Sequence, residues 1–466
     1  MTFKVLEKRL PADTVTPVSL YLRLRDRFPG ALLLESSDYH ARENSLSFLC
    51  LDPIAGLVLH PDRVETTMPD GQPLSEKISS ETTVFNLLED FFQQFSIQAE
   101  SIAARKFNGF FGYSAYDAVQ FFEKIRFTDR PQMERQIPLL CYRLFSFVIC
   151  IDHFSNQMTL LENLPEGSTS RLETLENLIA SPVFPSFSFR QVGEEETNMS
   201  DEFFKAMVAT GKQHCQRGDV FQVVLSRQFS QKFCGDEFNV YRALRSVNPS
   251  PYLFYFDFGD FRLFGSSPEA QVRVQNKRAI INPIAGTVAR TGNDSADRAA
   301  AEHLLADPKE NAEHIMLVDL ARNDLNRLAR HVHVSMLKDV QFFSHVIHLV
   351  STVEGELTDE TSRVRLLGET FPAGTLSGAP KFRAMQIIDA LEPHPRGFYG
   401  GCIGFFNFER EANHAILIRS FLSKNNTLHY QAGAGVVKDS DEASETQEVF
   451  NKIAALRRAL KLANQL

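Results

Sequence analysis

The chain has 466 residues, 43% of them hydrophobic and 23% charged, and a net charge of −9. This length predicts two lobes or one large composite domain. The negative balance argues against a nucleic acid or an anionic membrane as partner and leaves room for a small anionic substrate in a local pocket. Six scattered cysteines, none in a CxxC pair, indicate neither a zinc site nor a disulfide framework. The charged N-terminus lacks an apolar signal core, and LLCYRLFSFVICI (139–151) is short and interrupted by Arg143, so a cytoplasmic protein is expected.

Residues 1–165 alternate strand-like runs, ALLLESS (31–37), LSFLCLD (46–52), AGLVLH (55–60), FSFVICID (145–152) and QMTLLEN (157–163), with turn signals. TTVFNLLEDFFQQF (82–95) predicts an amphipathic helix with Phe85, Leu88, Phe91, Phe92 and Phe95 on one side. Residues 166–199, rich in Ser, Pro, Gly and Glu, read as a surface connection with one short helix at 171–181. From 200 to 463 the chain is denser in motifs. Ser200 caps a helix ending at Gly218, and strands follow at 221–230, 248–259, 261–270, 270–275 and 278–287. Helices then flank a strand at 345–357. KFRAMQIIDALE (381–392) is a helix, IGFFNF (403–408) and HAILIRSFL (414–422) are strands, and a last helix spans about 445–463. Strands in antiparallel-looking runs with helices between them predict an α+β fold, with large antiparallel sheets packed together and covered by helices.

Two glutamate pairs stand out. Glu310/Glu313 and Glu445/Glu448 each have i, i+3 spacing inside a predicted helix, which puts two carboxylates on one face. Asp307-Pro308 suits a helix start, so Glu310 alone could be a capping carboxylate, and Ser444 with Gln447 fits a capping box beside Glu445. Glu313 and Glu448 precede apolar runs and need partners if buried. Four converging carboxylates require a cation, and oxygen-only ligands suit Mg²⁺. YGGCIGFF (399–406) and YQAGAGVVKDS (430–440) place glycines near strand ends, where turn chemistry or close approach of a ligand carboxylate could explain them. Arg419 ends an apolar strand and wants a carboxylate from protein or substrate, while His348 in its apolar strand is either a satisfied core histidine or an acid/base group. These residues indicate a Mg²⁺-dependent enzyme acting on a small carboxylate and do not name the reaction.

The segments GDVFQVVLS (218–226), NPIAGT (282–287), ENAEHIMLVDLARNDL (310–325), HLVSTVEGEL (348–357), GTLSGAPK (374–381), YGGCIGFF, ILIRS (416–420) and QAGAGVVKDSDEASETQEVFNK (431–452) resemble the chorismate-utilising enzymes in order across residues 200–460. Ala285, where other branches carry Lys, together with GTLSGAPK, resembles the anthranilate-forming branch more than the folate branch that makes aminodeoxychorismate.

The resemblance implies amination of chorismate at C2 with ammonia, then loss of pyruvate. Glu313 and Glu448 are implied as direct Mg²⁺ ligands, with Glu310 and Glu445 close by or acting through water. Arg419, Tyr399 and the backbone of Gly433, Ala434 and Gly435 are implied as binding the enolpyruvyl carboxylate, with Gly286 and Thr287 also against substrate. Glu310 is the expected proton donor to the leaving hydroxyl, His348 the acid/base group of the elimination, and Thr375 a substrate contact.

LLLES (32–36) and NPSPY (248–252) resemble the family's tryptophan inhibition pocket, implying Glu35, Ser36, Pro251, Tyr252 and Leu253 as inhibitor contacts. This assigns residues 1–165 a regulatory and subunit-contact role and 200–463 the chemistry. No glutaminase nucleophile elbow is present, so a separate glutamine amidotransferase subunit is expected to supply ammonia, in a heterotetramer. The complete absence of tryptophan beside 40 phenylalanines suits an enzyme needed when tryptophan is scarce.

Overall fold

The computed structural model describes residues 1–36, 45–69, 71–78, 83–130, 134–342 and 346–466. It is α+β, as expected, and among the described residues every strand pairing is antiparallel except that of Thr2–Pro11 with Ser96–Gln98. Two long strands, Leu46–Leu59 and Leu140–Asp152, pair along nearly their whole length and serve both halves of the sheet system. The sequence suggested two strands where Leu46–Leu59 runs. Asp52, at φ 61°, and a register shift between Pro53 and Ala55 bend one continuous strand instead.

On one side of this hinge, hydrogen-bonded neighbours run Leu32–Ser36, Tyr252–Asp257, Phe261–Ser267, Ser420–Lys424, Thr427–Val436, Gln222–Gly235 and Phe189–Thr197. On the other side they run Gly109–Ser114, Cys402–Asn407, Ala412–Ile416, Ala270–Gln275, Arg278–Ile281 and Val346–Glu356. Val346–Glu356 then takes both Ile284–Ala289 and Arg330–Phe342. Strands from before and after residue 166 therefore join in the same sheets, meeting at Leu32–Ser36 with Tyr252–Asp257 and at Gly109–Ser114 with Cys402–Asn407. The segment expected to be a surface connection contributes an edge strand, Phe189–Thr197, alongside its helix Leu172–Ala180.

Three apolar layers hold these parts together. Between the sheets lie Leu34, Phe48, Phe111, Phe254, Phe256, Phe405 and Leu422. Outside the first sheet, the helices Asp201–Gln216, Phe238–Val247 and Glu442–Ala463 bury Phe204, Tyr241, Val449 and Ile453. Outside the second, Thr83–Gln93 and Pro308–Asn326 bury Leu88, Phe91, Val318 and Leu325. The helix at 83–93 is amphipathic as its spacing predicts, with Phe85 and Phe92 only partly buried at the edge of that layer. Phenylalanine fills these interfaces by stacking, as in Phe92 on Phe110 at 4.2 Å. Each fully buried ring contributes roughly 1.5–3 kcal/mol. Among the described residues no helix is long and apolar enough to cross a membrane.

Candidate active site

Arg419 sits where the chain crosses between the sheets. The sequence suggested one strand through 414–422. The structure breaks it into Ala412–Ile416, paired in one sheet, and Ser420–Lys424, paired in the other. Arg419 takes φ 50° in the gap, a left-handed conformation that turns the chain from one ladder to the next. Burial lowers its guanidinium's affinity for protons, and the nearby Glu269 carboxyl opposes this.

Glu269 was not foreseen from the sequence. Burial pushes its carboxyl up to about 8, against the pull of the Thr375 hydroxyl and the positive charges of Arg419 and Lys452. The Thr375 hydroxyl donates to Glu269 Oε1 at 3.0 Å. Within SSPEA the glutamate looks like a turn residue after a proline. Its partial burial is a product of the tertiary structure, in which the short helical turn Gly374–Ser377 brings Thr375 against it.

Gly286 joins the two acid/base candidates. It lies at φ 67°, beside a register shift between Ala285 and Thr287. A Cβ there would stand 2.8 Å from Leu304 and 3.2 Å from the Glu310 carboxylate, so only glycine lets the chain pass. The Gly286 carbonyl accepts a hydrogen bond from His348 Nδ1 at 2.9 Å. That bond places the proton on Nδ1 and leaves the basic lone pair on Nε2. Burial and the charge of Arg419 hold the imidazole's pKa down at about 4, so His348 is neutral at pH 7. The side chain of Thr287 lies outside the described residues; its backbone pairs with His348.

The glutamate pairs approach the strand Thr427–Val436 through intermediaries. Asp307 Oδ1 accepts from the Glu310 backbone N–H at 3.3 Å, confirming the expected helix start. Glu313 accepts from Gln222 Nε2 at 3.0 Å, and Gln222 lies where a Cβ on Gly435 would be, at 2.6 Å. Glu448 pairs with Lys452 at 2.7 Å, and Lys452 donates to the Gly433 carbonyl at 2.9 Å. Glu445 is buried and accepts from Ser440 at 2.7 Å. The cap of this last helix is Asp441 and not Ser444: Asp441 Oδ1 accepts from the Ser444 N–H at 2.8 Å, starting the helix at Glu442.

The glycines of QAGAGVV lie in the last four residues of the strand Thr427–Val436, near its end as expected. Gly433 and Gly435 leave space that Leu225 and Gln222 occupy, whereas the Ala434 side chain turns into the apolar core, leaving only its backbone for a ligand. Tyr399 is buried, hydrogen-bonded to the Gly433 backbone and stacked near the Arg396 guanidinium.

Farther along the first sheet, Leu32–Ser36 and Tyr252–Asp257 are hydrogen-bonded neighbours, with Tyr252 opposite Ser36 and Leu253 opposite Glu35. The two inhibitor motifs are thus side by side, and Pro251 leads directly into the pair. Glu35 is buried and accepts from the Tyr241 hydroxyl at 2.5 Å and from Arg245 Nε at 3.2 Å.

Residues 41–458 match the model of the chorismate binding enzyme family. Anthranilate synthase component 1 of Neisseria meningitidis is 39% identical over 99% of this chain and 95% of its own length. That of Thermus thermophilus is 36% identical over 98% and 97%. The crystal structure of anthranilate synthase component I from Streptococcus pneumoniae superposes with a TM-score of 0.78 at 31% identity, covering 97% of this chain and 99% of that one. With a family match over residues 41–458 and similarity of this extent over nearly its full length, the chain belongs to the chorismate binding enzyme family.

Proposed function

We propose that this chain is the chorismate-aminating large subunit of an anthranilate-forming lyase, acting in the first committed step of tryptophan biosynthesis. The observation that carries the reading is the Arg419 guanidinium placed within electrostatic reach of both a carboxyl that burial keeps largely protonated, Glu269, and a neutral imidazole, His348. The near full-length similarity to anthranilate synthase component 1 supports it.

Chorismate carries two carboxylates. Arg419, the Tyr399 hydroxyl and the backbone at Gly433–Gly435 would bind the enolpyruvyl carboxylate. Among the described residues no three acidic, histidine or cysteine side chains stand together as a ready-made cation site, and Glu448 is paired with Lys452. What fits a hard cation is the donor chemistry, since all four side chains offer oxygens and Glu313 and Glu445 rest on neutral partners, Gln222 and Ser440, that a cation could replace. Glu313 and Glu448 would hold Mg²⁺ directly, with Glu310 and Glu445 beside them. The ion would supply charge neutralisation at the ring carboxylate.

Ammonia forms a bond to C2 while the C4–O bond breaks, and the hydroxyl leaves as water with a proton from Glu269. We assign the proton to Glu269, in place of the Glu310 that the resemblance implied, because burial keeps the Glu269 carboxyl largely protonated at neutral pH. In the second half-reaction His348 Nε2 removes the proton from C2. The C3–O bond breaks, the ring becomes aromatic, and the enolpyruvate takes up a proton to become pyruvate. A separate glutamine amidotransferase subunit would deliver the ammonia, and tryptophan would inhibit by binding at Glu35, Ser36 and Pro251–Leu253.

The test is to incubate the protein with chorismate, Mg²⁺ and ammonium salt at alkaline pH and identify products by mass and fluorescence. Anthranilate and pyruvate, suppressed by tryptophan, support the reading. An aminated product that stably retains its enolpyruvyl group, or no consumption of chorismate, contradicts it.

A further inference from the structure

A cavity of about 30 Å³ is lined by the hydrogen-bonded Glu269 and Thr375 together with Gln271, Leu320, Ala321 and Asp324. It has room for a water-sized molecule and little more.

Gln271 is built into this wall in an unusual way. It falls in the register shift between Ala270 and Val272, the bulge where this strand pairs with Ala412–Ile416. A bulge re-aims the side chain it carries. The Gln271 amide nitrogen donates to the Thr370 carbonyl at 2.9 Å, which fixes the orientation of the amide, since flipping it would set oxygen against oxygen. Its Oε1 is then buried with no partner among the described residues, in a residue only 2% exposed. An orphaned buried acceptor is costly unless a ligand or water meets it.

The other polar groups around the cavity also favour an incoming donor. The Thr375 hydroxyl gives its proton to Glu269, leaving its oxygen to accept. Asp324 lies on the far side with its charge balanced by Lys381 at 2.8 Å, and Lys381 donates in turn to Thr370. The space therefore suits a molecule of one heavy atom that donates hydrogen bonds.

We propose that this cavity holds the incoming ammonia, with Gln271 Oε1 and Thr375 Oγ1 accepting its N–H bonds. Held through its hydrogens, ammonia keeps its lone pair free to attack. The inference rests on the amination reading above and adds to it a nucleophile site that adjoins the chorismate contacts at Glu269 and Thr375 and extends beyond them to Gln271.

The test measures KM for ammonium and KM for chorismate separately, in the wild type and in two variants made from opposite walls. Gln271→Leu removes the acceptor at similar volume. Ala321→Val places two methyl groups into the space without touching a polar group. Losing one hydrogen bond of ordinary strength predicts a rise in ammonium KM of about fivefold in Gln271→Leu. Ala321→Val should raise it comparably, with KM for chorismate within about twofold of wild type in both. Circular dichroism and thermal melting establish that each variant is folded, and if Gln271→Leu is not, Ala321→Val decides. An unchanged ammonium KM in a folded variant, or an equal rise in chorismate KM, overturns the proposal. A wild type that produces no aminated product would instead overturn the functional reading beneath it.

Discussion

Replacing Glu269 by Gln tests the proton donor. Burial sets this carboxyl at about 8, so it is about 90% protonated at pH 7 and about 10% at pH 9. Glutamine keeps the size, remains neutral and can still accept from Thr375, but has no acidic proton to give. General acid catalysis contributes about 10²–10⁴-fold, so chorismate consumption should fall by that factor in Glu269→Gln. In the wild type, the rate at fixed free ammonia should fall about tenfold per pH unit above 8, as the acid form is depleted.

Stability supplies an independent readout. The folded protein binds this proton more tightly than the unfolded chain, whose ordinary carboxyl lies at 4.5. The stability it provides is full below 4.5 and declines by up to about 1.4 kcal/mol per pH unit until pH 8. Glu269→Gln should remove that decline and melt higher than the wild type at pH 8–9. The assay is chorismate loss followed from pH 6.5 to 9.5, with thermal melts on the same samples. A variant within tenfold of wild type, or a wild-type profile flat through pH 8, refutes the reasoning. Loss of amination in Glu310→Gln alone would return the proton to Glu310.

Three further outcomes are expected. Glu392→Ala should cost about 3–5 kcal/mol in chemical denaturation, because it strips the partner from Arg396 in a pair 1% and 4% exposed and takes the acceptor from the Ser226 N–H and hydroxyl. Chelating divalent cations should abolish product formation, and Glu313→Gln or Glu448→Gln should raise the Mg²⁺ concentration for half-maximal activity about 10-fold or more, as read by Mg²⁺ titration. Glu35→Ala should leave the Tyr241 and Arg245 donors without their shared acceptor, lowering stability by about 1–3 kcal/mol and weakening inhibition in a tryptophan titration.

Much of the fold was legible because strand alternation and helix caps are local. The helices at 83–93 and 201–216, with Ser200 accepting from Phe203, follow directly from spacing and cap chemistry. What failed was set by distant neighbours. The edge strand Phe189–Thr197 is polar and mostly exposed, so it carries little alternation, and its identity comes from pairing with Gln222–Gly235. The break at Arg419 has no proline or glycine to announce it and exists because its two flanks belong to different sheets. The paired glutamates, His348 and Arg419 were visible as charged groups in apolar surroundings. Glu269 and Gln271 were not, because burial and a bulge, both products of the assembled sheet, are what distinguish them.

The division of labour between Glu269 and His348 is tested most directly by rapid quenching of His348→Ala with chorismate, Mg²⁺ and ammonium. The account predicts that chorismate is consumed and an aminated compound retaining its enolpyruvyl group accumulates, with little pyruvate, because only the ring-proton base is gone. Equal loss of amination and elimination, or anthranilate formed at the wild-type rate, would contradict it.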